Sequence, residues 1–238
     1  MQEIEELRSS DSGSHYIYKT IVGGMSRLAG SSSSERKRAV RPTDGLSGHQ
    51  ANGVIAAAFH ARRIGLPLNR HVTIRLEQAG ISDGDAVWAI GGFLTRLRDW
   101  LRKKGHRTAF TWVRECGPII GSHVHILLHL PPGVSLTGQR SRRWIEAISG
   151  RPYRAGTIKT KRIPQSAYDE NLSVLVGYLC KGASPEVADA LGLDRRKTGG
   201  RALGKRAGWS ENIGQKARRQ WIARGGRGNV VQATRLFP

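Results

Sequence analysis

The residues with the clearest chemical potential are His123-Val124-His125. On a strand, side chains two apart project from the same face, so both imidazoles point one way. Two such imidazoles make a seat for a divalent ion, although an isolated His-x-His is as readily structural. Glu115 closes the preceding apolar segment, and the connection Cys116-Gly117-Pro118-Ile119-Ile120-Gly121 is short and glycine-flanked. A hairpin with its tip near Pro118 would set Glu115 across from the histidine pair. One carboxylate and two imidazoles suit Mg²⁺ or Mn²⁺ that must also hold a phosphate oxygen. His129, four residues past His125, is expected to be structural or a substrate contact rather than a ligand. Further on comes Tyr178-Leu179-Cys180-Lys181. Positions i and i+3 of a helix share a face, so the phenol and the ammonium sit side by side. A phenol is a poor nucleophile alone, but a nearby ammonium and a metal-polarised phosphate make its attack feasible. The competing reading is a tyrosine packed at a helix end, with the lysine favouring the helix dipole.

These residues need elements to position them. Val54, Ile55, Ala58, Phe59 and Arg62 follow helical spacing, ended by Gly65-Leu66-Pro67. His71 to Glu77 alternates and is rich in branched residues, which predicts a strand. Asp83 or Asp85 can cap a helix to about Lys104, stopped by Gly105. Strands are predicted over Thr108 to Glu115 and Ser122 to Leu130, the second closed by Pro131-Pro132. A helix follows from about Gly138 to Ile148, a strand from Ala155 to Ile163 and a helix from Asp169 to Lys181. The order strand, helix, strand, strand, helix, strand resembles the split βαβ, ferredoxin-like arrangement. It predicts an α+β fold: an antiparallel sheet with helices on one face. A short helix (Pro185 to Leu191) and a basic helix near Glu211 to Arg224 come after it. Three segments are expected: a flexible Ser-rich, basic arm over 1–45, an endonuclease-type domain over 46–183, and a basic helical extension over 184–238.

The chain has 238 residues, with 39 Lys+Arg against 18 Asp+Glu, a net charge of +21. With a pI near 11.2, a polyanionic partner is favoured, nucleic acid first and an anionic membrane second. No apolar run reaches the roughly 18 residues of a membrane span, and the N-terminus lacks a signal-peptide layout, so a cytoplasmic protein is expected. Cys116 and Cys180 are too few for a disulfide framework and lack zinc-site spacing. In the C-terminal region Arg195, Arg196, Lys197, Arg201, Lys205, Arg206, Lys216, Arg218 and Arg219 are interleaved with Trp209 and Trp221. Cations can follow phosphates while indoles stack on unpaired bases, as in a single-strand groove; the tryptophans could equally anchor this region on the core. Gly199-x-x-x-x-Gly204-Lys205 imitates a phosphate-binding loop, but Arg206 replaces the Ser/Thr and no apolar strand precedes it.

Taken in order, Glu115, His123-Val124-His125 and Tyr178-x-x-Lys181 resemble the motifs of the HUH endonucleases, and among these the rolling-circle replication initiators. Glu115 precedes His123 by 123 − 115 = 8, and Tyr178 follows His125 by 178 − 125 = 53. The resemblance covers roughly His71 to Gly182. It implies a metal-dependent enzyme that nicks and joins single-stranded DNA, with Tyr178 forming a 5′-phosphotyrosine link and freeing a 3′-hydroxyl. It also implies that His123, His125 and Glu115 hold Mg²⁺ or Mn²⁺, and that Lys181 positions the phosphate or the tyrosine. The expected partners are single-stranded DNA of an origin stem-loop and, because no helicase domain follows, a host helicase or polymerase; no membrane is expected. The family's first motif is only loosely met by His71-Val72-Thr73-Ile74-Arg75, and one tyrosine stands where some members carry a pair. Tyr168 and Tyr153 are reserve candidates. The same chemistry would serve a single-tyrosine transposase or a mobilisation relaxase of a plasmid or phage; a non-catalytic DNA-binding regulator is the reading from another class.

Overall fold

A computed structural model describes residues 41–136, 138–193 and 199–226. In chain order these form β1 (Pro42–Thr43), α1 (Gly48–Arg63), β2 (Arg70–Arg75), α2 (Ala86–Arg102), β3 (Phe110–Gly117), β4 (Gly121–Leu128) and α3 (Gln139–Ser149). They continue with β5 (Ile158–Arg162), α4 (Tyr168–Cys180), α5 (Pro185–Leu191), β6 (Ala202–Leu203), β7 (Ala207–Trp209) and α6 (Gln215–Ala223). The N-terminal arm up to residue 40, and Arg195, Arg196 and Lys197, lie outside the described residues. No helix among those described is long and apolar enough to cross a membrane.

The main sheet has the order β5-β2-β4-β3-β7, with every neighbouring pair antiparallel. The unit β2-α2-β3-β4-α3-β5 is the expected ferredoxin-like motif. Strand alternation sorts its apolar residues into two cores. Val72, Ile74, Trp112, Val124, Ile126 and Leu128 pack with Ile90, Phe93 and Leu97 of α2 and with Ile145 and Ile148 of α3. Each such fully buried aliphatic side chain is worth roughly 1.5–3 kcal/mol. Val113 and Leu127 point the other way, onto Val54, Ile55 and Ala58 of α1 and Leu172, Val176 and Leu179 of α4. The two crossover helices therefore share one face, as expected, and α1 and α4, which flank the motif in sequence, cover part of the other. His123 and His125 are in phase with Leu127, so they face the α1/α4 side.

The segment after residue 184 differs from its expected all-helical form. Pro185–Leu191 is helical as anticipated, but β7 joins the main sheet along β3, and β6 pairs with β1 in a second, two-stranded sheet. The predicted helix near Glu211 is a 3-10 turn (Glu211–Ile213) before α6 begins at Gln215. Three-residue strands carry too few alternations to be read against a background of Gly and Arg. Asp83 does not cap α2 either. Its carboxylate accepts from Arg114, from Ser122 Oγ at 2.9 Å and from the Leu203 backbone N–H at 2.6 Å, while Asp85 stands at the N-cap without a side-chain bond to the helix.

Candidate metal centre and tyrosine site

Beyond Arg114, the β3–β4 register pairs Glu115 with His123, Cys116 with Ser122 and Gly117 with Gly121. The turn depends on Gly121, whose φ of +69° is a left-handed conformation and where a Cβ would overlap the Glu77 carboxylate. That carboxylate also accepts from the Ser122 N–H at 3.3 Å. Behind the hairpin, the fully buried Arg114 donates to the Asp83 carboxylate and carbonyl, both at 2.9 Å, and to the Leu203 carbonyl. Burial alone would lower the guanidinium's pKa, and the Asp83 charge partly offsets this. Asp83 thus ties β3 to β4 one position from two of the candidate ligands. Nothing in the sequence pattern marked that tie.

Glu115, His123 and His125 are all buried, and one candidate ligand atom from each lies within 4.8 Å of the other two. His123 Nδ1 lies 2.9 Å from the Gly121 carbonyl oxygen. A carbonyl only accepts, so we assign the proton to Nδ1 and the lone pair to Nε2, which sits 3.5 Å from Glu115 Oε2. His125 Nδ1 lies 3.1 Å from both Thr73 Oγ1 and His71 Nε2. With Nδ1–H donating to one of them, the His125 Nε2 lone pair is directed elsewhere, and this buried atom has no hydrogen-bond partner. Glu115 Oε1 is likewise buried without one. Buried polar atoms normally find partners. Two orphaned acceptors beside a third lone pair, each imidazole held through its other nitrogen, are what a ligand set for a divalent ion requires.

The electrostatics agree. Burial would raise the Glu115 pKa, but hydrogen bonds to His123 and Lys181, with the Lys181 charge, outweigh it and hold the group below the ordinary carboxylate value. Burial pulls His125 down to about 3 against the opposing pull of Glu115. His71 is held at about 4 by burial, then by the charges of Lys161 and Lys181. The carboxylate is therefore ionised and these two imidazoles are neutral at neutral pH, the states a metal needs.

The C-terminal turn of α4 brings the remaining pair. The Tyr178 ring lies edge-on to His125, with centroids 5.4 Å apart, and is 40% exposed. Lys181 Nζ sits 3.7 Å from the Tyr178 ring centroid and 2.9 Å from Glu115 Oε2. One ammonium thus bridges the candidate nucleophile and the candidate ligand set. Thr73 and His71, both on β2, complete the surroundings. His71 entered the sequence reading only as the start of a strand, and its place against His125 follows from the β2–β4 register.

The other sequence candidates fall elsewhere. His129 is structural: it is buried, with Nδ1 2.8 Å from the Pro67 carbonyl oxygen. Tyr168 is buried at the start of α4, donates to the Leu68 carbonyl at 3.1 Å and is pushed up to about 12 by burial. Tyr153 accepts from the Ile158 N–H. Arg206 corrects the expectation of a phosphate contact. Its side chain is buried and donates to the carbonyls of Thr43, Gly199 and Gly200 at 2.6–2.8 Å. Trp209 is packed against the core rather than presented to a base; its indole lies on α1 where any Cβ on Gly53 would strike it. Trp221 is half-buried, edge-on to His60. Arg201, Lys205, Lys216 and Arg219 are exposed, and Arg218 is partly buried with a bond to the Ile213 carbonyl.

Residues 73–183 match the family model described as replication-associated protein ORF2. That span opens on β2, closes just beyond α4 and contains all five residues Glu115, His123, His125, Tyr178 and Lys181. No curated protein and no solved structure matches the chain. The family match supports a role in the initiation of replication, in a chain whose described residues include a Glu-His-His cluster that can hold a metal ion.

Proposed function

We propose that the protein nicks and rejoins single-stranded DNA in a divalent-metal-dependent reaction, with Tyr178 as the nucleophile, to start rolling-circle replication of a plasmid or phage. The observation that carries this is the convergence of a partly exposed tyrosine, a lysine and a buried Glu-His-His cluster at one end of one sheet face. The resemblance to HUH endonucleases and the replication-associated family match are consistent with it. A DNA substrate, an origin stem-loop as its natural source, and a host helicase or polymerase acting in the cytoplasm belong to the same proposal.

In the reaction the Tyr178 oxygen attacks the scissile phosphorus. The O–P bond forms as the bond from phosphorus to the 3′ oxygen breaks, the phenolic proton passes to solvent, and the 3′ oxygen leaves protonated by water. Mg²⁺ or Mn²⁺ held by Glu115, His123 and His125 would supply electrophilic polarisation of the phosphate. Lys181, already against both the Tyr178 ring and Glu115, offsets the negative charge that builds around the phosphate. Thr73, His71 and the Gly121 carbonyl hold the imidazoles in place. Attack by a 3′-hydroxyl on the phosphotyrosine reverses the step and needs no nucleotide cofactor.

Incubation of the protein with Mn²⁺ and a labelled single-stranded origin oligonucleotide should yield a denaturation-resistant protein–DNA adduct. Tyr178→Phe should abolish it, and His123→Ala/His125→Ala should reduce it by at least about 10²-fold, the scale of a lost electrostatic stabiliser. An adduct that persists in Tyr178→Phe removes the nucleophile assignment. DNA binding without any adduct under either metal leaves a DNA-binding regulator.

A further inference from the structure

The face of the sheet that carries the histidines is covered by α4 and α1 only over β3 and β4, and at its β5 edge it is open. Ile158 packs into the core beneath α2 and α3, so Lys159 and Lys161 project from the opposite face, the one shared with the metal-site histidines. The registers place them: Lys161 opposes His71, and Lys159 opposes Thr73, which in turn opposes His125. Arg75, opposite His123, continues the line on β2. Both lysines are exposed, and among the described residues no carboxylate pairs with either. Residues two apart on a strand are spaced by roughly 6.5 Å, comparable to the phosphate repeat of an extended single strand. β5 is an edge strand, so nothing in the sheet lies outside it. The line ends at Arg75, which borders a cavity of about 510 Å³ beside the hairpin tip, walled by Gln78, Pro118 and Ile119 among others. That volume is ample for a nucleobase.

From this arrangement we infer that Lys159 and Lys161 of β5, continued by Arg75, form a phosphate-binding ladder that lays a single DNA strand along the open sheet edge beside the Glu115-His123-His125 cluster. The inference deepens the proposed function and rests on it for the identity of the strand. The ladder itself requires neither metal nor tyrosine. Lysine suits this task because its ammonium follows a mobile phosphate without a fixed bonding plane. The charge that matters for holding the strand then lies on the sheet, in addition to the C-terminal cations named by composition.

The test separates the two readings. Full-length Tyr178→Phe protein in EDTA is titrated with a fluorescent oligothymidylate at several KCl concentrations, and anisotropy gives log K against log[KCl]. Each phosphate contact to a single strand contributes about 0.7 to the slope. Adding Lys159→Ala/Lys161→Ala should therefore flatten the slope by about 1.4, and Lys159→Arg/Lys161→Arg should restore it. Lys103→Ala/Lys104→Ala, exposed beyond the end of α2, removes equal charge away from the line and should leave the slope within about 0.3 of the parent, less than half of one contact. An unchanged slope in the Lys159/Lys161 alanine pair, or an equal loss in the Lys103/Lys104 control, overturns the ladder. The adduct assay on the wild type reports on the nickase reading independently: a slope loss without an adduct keeps the ladder and removes the nickase, and an adduct with no slope loss does the reverse.

Discussion

At the scale of single residues, the site trades stability for ligand readiness. His71 and His125 are buried against each other with few compensating charges, and their pKa values stand at about 4 and about 3. In the unfolded chain both return to about 6.5. A histidine whose folded pKa is depressed binds its proton more readily when unfolded, so native stability falls as pH drops below about 6.5 and levels off near the folded values. Between pH 7 and pH 5 each histidine should cost on the order of 1–2 kcal/mol. Urea unfolding of the metal-free protein should show this loss, and a His71→Gln/His125→Gln protein should lose distinctly less over the same interval. Identical pH dependence in the two proteins would mean that other groups carry it. Glu115 has the opposite sign, its lowered pKa stabilising the fold above the ordinary carboxylate range, so it adds to the loss only in stronger acid.

At the scale of elements, what could be read in advance was what repeats. The alternating and 3.6-residue patterns outlined the six-element ferredoxin-like unit to within a few residues, and the i, i+2 and i, i+3 spacings of His123/His125 and Tyr178/Lys181 were legible for the same reason. Pairings between distant segments were not. β7 is three residues long, and its place beside β3 is set by packing: the Trp209 indole fills the space over Gly53 of α1. Gly53→Ala tests that docking. Alanine gains about 1 kcal/mol of helix propensity over glycine, but a methyl driven into a closely packed indole costs about 1–3 kcal/mol, and here its Cβ would overlap the ring. A net loss of about 1–2 kcal/mol is expected by chemical denaturation, whereas Gly91→Ala on α2, which has open space around it, should be neutral or stabilising. A stabilised Gly53→Ala would show that the indole moves away readily. The Arg114–Asp83 tie and the buried Arg206 were illegible for the same reason. A lone charge in sequence reads as solvated, and only the fold reveals that its partners are backbone carbonyls and a carboxylate from elsewhere in the chain.

At the scale of the whole molecule, the +21 charge acts with opposite sign on the two ligands the site calls for. It attracts a polyanionic strand and repels a divalent cation, and added salt screens both effects. Glu115, His123 and His125 come together only when β3 and β4 are paired, so the metal should bind the native state and stabilise it by linkage. At free Mn²⁺ about 100-fold above Kd this amounts to about 2.7 kcal/mol. For a chain of this size that raises Tm by roughly 5–10 °C. A Glu115→Ala/His123→Ala/His125→Ala protein should show no Mn²⁺ response, whatever its own Tm. Raising KCl from about 50 to about 300 mM should preserve or enlarge the Mn²⁺ shift of the wild type, because screening relieves the repulsion. The same change should shrink the shift produced by oligothymidylate, because counterion release drives that binding. If the Mn²⁺ shift collapses in parallel with the DNA shift, the ion is held by diffuse surface charge rather than by three buried ligands, and the Glu-His-His cluster loses its role.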